Sequence, residues 1–534
     1  MRRASSELAS ADKYILPSET TMIRSTQSRP ACMPFQTLSA CLAFALATPA
    51  ALGATPAALG EAPLRGGHAR LAPLLDAKKG PGPASLARPS SPQAATIPVT
   101  NCEDDGSLGS LREAVITASV GDTVDLSALT CGSITLQTGA IPVDLERLTI
   151  IGPGANELTI DGNDSDRVFT HSGAGLLTLR GLTIAHGRIA APAAYGGCIF
   201  STGPLSIYDS RVTGCTAEGE TAAAGGGILS FGILNIGGTT IDANTAVSSA
   251  GDATDRSAEG GGIVAAQSVV MQSSVVSGNT AHAMVGGAYG GGIVALGTAS
   301  DALSVKYSTF SGNIASGNST SLPSGGGGVL SSVPTAIFAS TIDHNHADAA
   351  AGIYCGAPLE INGSTVSGNV ATFAAGGVLA QGTITIANST IAFNNGGSEG
   401  GGGVVFESSA VDLESSILAD NTPSGQVGGA DLAGSPTVTV TGANNLVKIS
   451  SVAVPAGTMI SDPRLLALAD NGGPTRTHAL APTSPAIDQG NTTDAVGAFD
   501  QRGAGYPRVV GAAVDIGAYE YSDTIFANGF DPSH

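Results

Sequence analysis

The sequence predicts an all-β chain wound as a single-stranded, right-handed parallel β-helix. It should have three strands per coil, an asparagine ladder and a cap at each end. Three observations predict it. A glycine-rich run precedes an Ile or Val at Ile199, Ile228, Ile263, Ile293, Val329, Ile353, Val378 and Val404. Behind each stands an asparagine slot, filled by Cys215 and then by Asn244, Asn279, Asn313, Asn345, Asn369, Asn394 and Asn421. Between the two signals the apolar residues alternate with period two, and no helical period appears. The spacing is 16 residues in six of the eight copies, 20 in the Ile293 copy and 17 in the Val404 copy. A fixed segment between variable loops is the mark of a stacked solenoid.

The asparagine slots fix a register. Three residues before them stand Val212, Ile241, Val276, Phe310, Ile342, Val366, Ile391 and Leu418. Five before stand Ser210, Thr239, Ser274, Ser308, Ser340, Ser364, Ser389 and Ser416, all hydroxyls. Apolar residues dominate again eight and ten before, as in Val305 and Leu303. Alternation therefore predicts one strand through slots −10 and −8 and another through −5 and −3. The glycine-led apolar run supplies the third. Handedness follows from the rule for parallel crossovers. Each asparagine should point inward at a turn and bond its counterparts ~4.8 Å above and below. In the copy at 308–315, Ser308 and Phe310 should face in and Thr309 and Ser311 out.

The composition suits thin, layered packing. Of 534 residues, 74 are glycine, 4% are aromatic and none is tryptophan. The apolar set is Val, Ile, Leu and Ala, which fits β layers better than a thick globular core. A formal net charge of −20 excludes binding nucleic acid or an anionic membrane through a basic surface. It fits a monomer that resists association. Seven cysteines are too few for a disulfide scaffold. Cys102 and Cys131 flank one segment and form one candidate bridge, Cys198 and Cys215 form another, and Cys355 is left over.

Within residues 22–54, Met22 to Gly53 reads as a secretory signal, with Arg24 and Arg29 as its positive flank and Thr37 to Thr48 as its apolar run. That run is far shorter than the ~20 residues of a membrane span, and no later run reaches that length. Residues 1–54 are thus an N-terminal extension and signal, and residues 55–95 an Ala-, Pro- and Gly-rich disordered linker. Residues 96–187 hold an N-terminal capping module and the first coils, 188–444 the repeats, 445–520 a C-terminal domain, and 521–534 a tail. Ser110 to Thr117 has the pattern of a short amphipathic helix. A helix ahead of short strands suits the exposed edge of a solenoid's first coil.

Three segments resemble known families. Gly109-Ser110-Leu111-Arg112-Glu113-Ala114 and Ile151-Gly152-Pro153-Gly154-Ala155 are similar to the CSLREA module of secreted bacterial β-helix proteins, with Gly109 in place of the leading cysteine. The repeats resemble the polymorphic outer-membrane-protein repeat, defined by G-G-x-I and F-x-x-N. Phe310-Ser311-Gly312-Asn313 carries the full second motif, and other copies place Val, Ile or Leu in the phenylalanine slot. Asp462-Pro463-Arg464-Leu465, Asn471-Gly472-Gly473-Pro474-Thr475, Ser484-Pro485-Ala486-Ile487-Asp488, Asp500-Gln501-Arg502-Gly503 and Val514-Asp515-Ile516-Gly517-Ala518-Tyr519-Glu520 resemble the choice-of-anchor Q domain. That domain ends bacterial surface β-helix proteins, so the resemblance implies a secreted or outer-membrane, cell-surface protein. Physically, its Pro and Gly turns suit closure of the solenoid's open end.

Many parallel β-helices are polysaccharide lyases or hydrolases of the pectin lyase-like fold. Such chemistry needs carboxylates or calcium, plus a base, on one outer face. The register offers Glu360 and Asp412, two coils or ~10 Å apart, with Glu414 on the same face. No Lys or Arg stands in register with them. Asp242 and Asp343 share a slot three coils apart, ~14 Å, beyond the ~5–9.5 Å of paired glycosidase carboxylates. Asp343, His344 and His346 are the metal candidates, without a further ligand in register. Pectinase-type N-T-D, G-H-G and R-I-K motifs are absent, as are G-x-S-x-G and H-E-x-x-H. No cofactor is expected, calcium being the one candidate.

The loops behind the asparagine slots are longest in the first half. They carry Glu218, Glu220, Asp252, Asp255, Arg256, Glu259, His282 and Tyr289. Protruding loops on a solenoid commonly bind partners. The sequence thus points to a non-catalytic adhesin binding an extracellular glycan or surface protein. A polysaccharide lyase or hydrolase and a structural envelope spacer are the alternatives.

Overall fold

The computed structural model describes residues 94–249, 258–318, 323–398, 400–407, 410–422, 431–435, 438–495 and 497–522. The signal, most of the linker, most of the tail and loop residues Asp252, Asp255 and Arg256 lie outside these residues. The described chain is a parallel β-helix. Sheet A has 13 strands, from Thr96–Pro98 to Val440–Ala443. Sheet B has 12, from Ser133–Thr135 to Leu446–Val447, and sheet C has 11, from Ile141–Val143 to Leu432–Gly434. One coil runs through Ile263–Ala265 in C, Val269–Gln272 in A and Val275–Ser277 in B before reaching Asn279.

The register is the one read from the slots. Leu234 pairs Val269, which pairs Leu303. Ile241 pairs Val276, which pairs Phe310. These columns are buried and fill the lumen. Ser308 and Phe310 are fully buried, while Thr309 and Ser311 are partly exposed. Each corner is made by one residue in the left-handed region. Between A and B it is Gly238, Ser273, Tyr307, Ala339 or Gly363, and before the asparagine it is Ala243, Gly278, Gly312, His344 or Gly368.

The ladder is continuous. Asn279 Nδ2 donates to Asn313 Oδ1 at 2.9 Å, and the Asn279 backbone N–H donates to the same oxygen at 3.1 Å. The pattern repeats from Asn244 through Asn345, Asn369 and Asn394 to Asn421. A second ladder runs beside it. The Ser274 N–H donates to Ser308 Oγ, the Ser308 N–H to Ser340 Oγ, and the Ser340 N–H to Ser364 Oγ, each at 3.1 Å. That is why slot −5 holds only hydroxyls: each oxygen accepts the N–H of the coil before it.

The structure adds a fourth sheet to the three expected. Sheet D is built from segments read as loops, including Thr216–Ala224, Thr245–Ser248, Thr280–Ala283, Ile314–Gly317, His346–Ala349 and Val370–Ala374. Alanine at their second position, as in Ala217, Ala246, Ala281, Ala315, Ala347 and Ala371, is buried in every coil. Alanine is depleted in strands, so the local signal was weak. Glu259 and Tyr289 are buried here rather than displayed, and His282 is bonded to Ser316.

Both ends are closed. Helix α1, Leu111–Thr117, is capped by Ser110, whose side chain accepts the Glu113 N–H. Its buried Leu111, Ala114 and Val115 face the first coil. Arg112 bonds Asp104 at 2.7 Å and donates to Ala140 O at 2.9 Å, pinning the helix beside the first strand of sheet C. Cys102 and Cys131 are disulfide-bonded, as are Cys198 and Cys215, and Cys355 is a free, buried thiol.

The C-terminal segment does more than close the far end. It turns back and lies along the outer face of sheet B. Gln501, fully buried, donates to Thr341 Oγ1 at 2.9 Å and accepts from Thr365 Oγ1 at 2.6 Å. Ser367 bonds His478 at 2.8 Å, and the Ala518 N–H donates to Thr390 Oγ1 at 3.0 Å. The outward threonines of sheet B are thus the bonding partners of this clasp.

Candidate ligand-binding face

The outer face of sheet A carries two columns between its buried ones. One runs Ser304, Ala336, Glu360, Thr385, Asp412, Thr441. The other runs Lys306, Phe338, Asn362, Ala387, Glu414, Ala443. Glu360 and Asp412 lie in one column, two strands apart, or ~10 Å. Each has its own partner. Glu360 accepts from Asn362 Nδ2, and Asp412 accepts from Thr441 Oγ1 at 2.8 Å. Glu414 stands in the second column. The three carboxylates share a face but do not converge on a point. Among the described residues no group of three or more His, Cys, Asp or Glu could hold a metal ion.

One sequence reading needs correction here. Lys306 was placed out of register with these acids, yet it stands in the column of Glu414 itself. Four strand steps separate them, roughly 19 Å. The column holds a cation, but not within reach of the carboxylates as a general base.

Asp343, one of the metal candidates, is not open to solvent. Its side chain is fully buried beneath the clasp, where Arg476 and His344 bond one carboxylate oxygen. His344 occupies the left-handed corner, and its Nδ1 lies 2.6 Å from Asp343. His346 is exposed in sheet D, between Ile314 and Val370. Asp343 therefore anchors the clasp, and the two histidines lead to different surroundings.

The clasp contains strongly perturbed carboxyls that the sequence did not reveal. Burial pushes Glu520 up to about 8 and Asp515 up to about 6, against the backbone N–H bonds that each accepts. Arg508, buried beside them, donates to the carbonyls of Asp515 and Gly517. Arg502 pairs with Asp500 at 2.6 Å. Its guanidinium lies between the rings of Tyr506 and Tyr519, at 4.1 and 3.8 Å. This network joins the clasp to itself, and we read it as structural.

Sequence reasoning also missed an aromatic corner. Tyr307 and Phe338 meet edge to face, with ring centroids 6.0 Å apart. Lys306 Nζ lies 5.1 Å from the first centroid and 5.0 Å from the second. Lys306 is exposed and both rings are partly so. Tyr307 holds a left-handed φ of 50°, a conformation unusual for a bulky residue. The clasp borders this corner. A Cβ built on Gly503 or Gly497 would stand 3.7 Å from the Tyr307 or Phe338 ring. The available signal was a tyrosine in a slot that other coils fill with Gly, Ser, Ala, Asn or Asp.

No family model matches this sequence, and no curated protein matches it. Among solved structures, the chain is similar to the crystal structure of pectate lyase Pel9A. The identity is 13% and the TM-score 0.40, covering 80% of this chain and 98% of that one. Similarity of that degree says nothing of activity.

Proposed function

We propose that this chain is a secreted or surface-displayed, non-catalytic β-helix that binds an extracellular glycan or surface protein. The observation that carries the reading is the Lys306–Tyr307–Phe338 corner: a cation and two aromatic rings, left accessible on a rigid scaffold. Aromatic side chains with a few polar groups make up most ligand sites. The disulfides fit an extracytoplasmic compartment. No helix among the described residues is long and apolar enough to cross a membrane. The spread of Glu360, Asp412 and Glu414 argues against the alternative, a polysaccharide lyase or hydrolase. The resemblances to surface-protein modules support display at the cell envelope.

The test is a glycan and surface-protein array probed with the full chain, with and without calcium, alongside an assay for released oligosaccharide. Binding without product supports the reading. Product that disappears in Glu360→Gln or Asp412→Asn would replace it with the enzyme reading. An absence of any binding would leave the structural spacer.

A further inference from the structure

We propose that the corner formed by Lys306, Tyr307 and Phe338, with Glu360 beside it, is a binding subsite for a sugar ring of a neutral glycan. This rests on the binding function proposed above and names its ligand class and place.

Four features carry it. The rings of Tyr307 and Phe338 lie partly open on the outer face, and a pyranose presents a face of C–H bonds that suits an aromatic surface. Lys306 and Glu360 are both exposed and flank the rings along the sheet. Lys306 pairs Phe338 on the strand before it; on the strand after it Asn362 pairs Phe338, and Glu360 stands two residues earlier, opposite Ala336. Together they offer a donor and an acceptor to sugar hydroxyls. Glu360 is held in place by Asn362 Nδ2. Because that bond requires the amide nitrogen to face Glu360, the Asn362 oxygen is turned away and has no partner.

Tyr307 is the strongest of the four. At the same corner other coils place Gly238 or Gly363, which meet the left-handed backbone without a Cβ clash, or the small Ser273 and Ala339. A bulky side chain there carries a local conformational cost. The ring is partly solvent-exposed and otherwise meets Phe338, Lys306 and the edge of the clasp at Gly503.

Charge selects the class. Lys306 is the only cation in the two outer columns of sheet A between Ser304 and Ala443, and its ammonium already faces both rings. Glu360, Asp412 and Glu414 extend a negative strip beyond it. On a chain of net charge −20 this strip repels a polyuronate and leaves an uncharged glycan as the better fit.

The test uses the full chain, titrated with cellohexaose and xylohexaose as neutral probes and hexagalacturonate as an anionic one. Calorimetry and ring-proton saturation transfer are the readouts. Tyr307→Gly is the decisive variant, because it removes the ring while relieving the backbone. We expect it to melt no lower than wild type yet to bind a neutral hexaose about tenfold more weakly. Phe338→Ala should weaken binding similarly. Phe231→Ala, at the separate Phe200–Phe231 pair, should not change it. Binding of a neutral probe that is indifferent to Tyr307→Gly would overturn the subsite but not the binding function. So would preference for hexagalacturonate. If the chain binds no glycan but does bind a surface protein, the subsite fails and the broader function stands. If it binds neither, both fail.

Discussion

Gly262 and Asn279 are in contact across the lumen of one coil. A Cβ added to Gly262 would stand 3.1 Å from the Asn279 amide and 2.7 Å from the Gly292 carbonyl oxygen. The same relation joins Gly227 to Asn244, Gly292 to Asn313, Gly328 to Asn345, Gly352 to Asn369, Gly377 to Asn394 and Gly403 to Asn421. The two recurring signals of the sequence are therefore one device. The asparagine needs a coil wall without a side chain, and the glycine supplies it. Replacing Gly262 or Gly328 with alanine should lower stability by roughly 1–3 kcal/mol through overpacking. Thermal melting of the single variants checks this, with exposed Gly132, which has open space around it and no left-handed φ, as a control.

The runs ahead of Ile353 and Val378 differ from the four before them in a useful way. Three residues before the apolar anchor, Gly225, Gly260, Gly290 and Gly326 adopt left-handed φ, but Ala350 and Ala375 hold φ of 51° and 54° there. An L-residue in that region costs about 1–2 kcal/mol, part of which glycine returns as unfolded-state entropy. Ala350→Gly and Ala375→Gly should each stabilise by about 0.5–1 kcal/mol. A melting temperature that falls in both would contradict the argument.

The clasp should respond asymmetrically to losing either member of its anchor pair. Arg476 is half-exposed and can hydrate when Asp343 is removed. Asp343 is fully buried and loses a charged partner when Arg476 is removed. Arg476→Ala should therefore cost roughly 1–3 kcal/mol, more than Asp343→Asn. Both should speed limited proteolysis within residues 445–520. Equal costs, or an intact clasp in Arg476→Ala, would mean the pair is incidental.

Stability of the clasp should fall as pH rises. Asp515 and Glu520 keep their protons, when folded, to about 6 and about 8, whereas the unfolded carboxyls lose theirs near 3.8 and 4.5. Between those limits the folded state binds more protons, so the stabilisation is whole at the acidic end and lost by about pH 8. Glu520→Gln should flatten the trend. Urea midpoints followed by the near-ultraviolet circular dichroism of the tyrosines, measured from pH 4 to 9, would show it. A midpoint that rises with pH would reverse the sign and overturn the account.

The sequence carried the repeating frame because each column places the same demand on every coil. Val269, Leu303 and Ile384 must fill one lumen, Ser274 and Ser308 must each accept an N–H, and Asn279 and Asn313 must stack. Sheet D was hidden because Ala246 and Ala281 say little about strands on their own, and only stacking makes them one. The clasp partners were hidden for another reason. Thr341 and Thr365 look like ordinary outward strand residues until Gln501, some 136 to 160 positions away, reaches them. Of the candidate sites, Glu360, Asp412 and Glu414 stand in the outer columns of sheet A without converging. Lys306 was misplaced by neglecting its column, and Tyr307 was overlooked because its importance lies in a backbone angle.

Sheet D has one more consequence. The stretch between an asparagine slot and the next anchor varies from 8 residues after Asn345 to 19 after Asn244, while the ladder on either side keeps its bonds. Most of the variation in length is absorbed at this seam, with a smaller insertion between Ala295 and Leu303, and the neighbouring columns stay aligned. Such a seam makes the chain a carrier: a foreign peptide spliced there would be displayed at a fixed height along the stack, without renumbering a single rung.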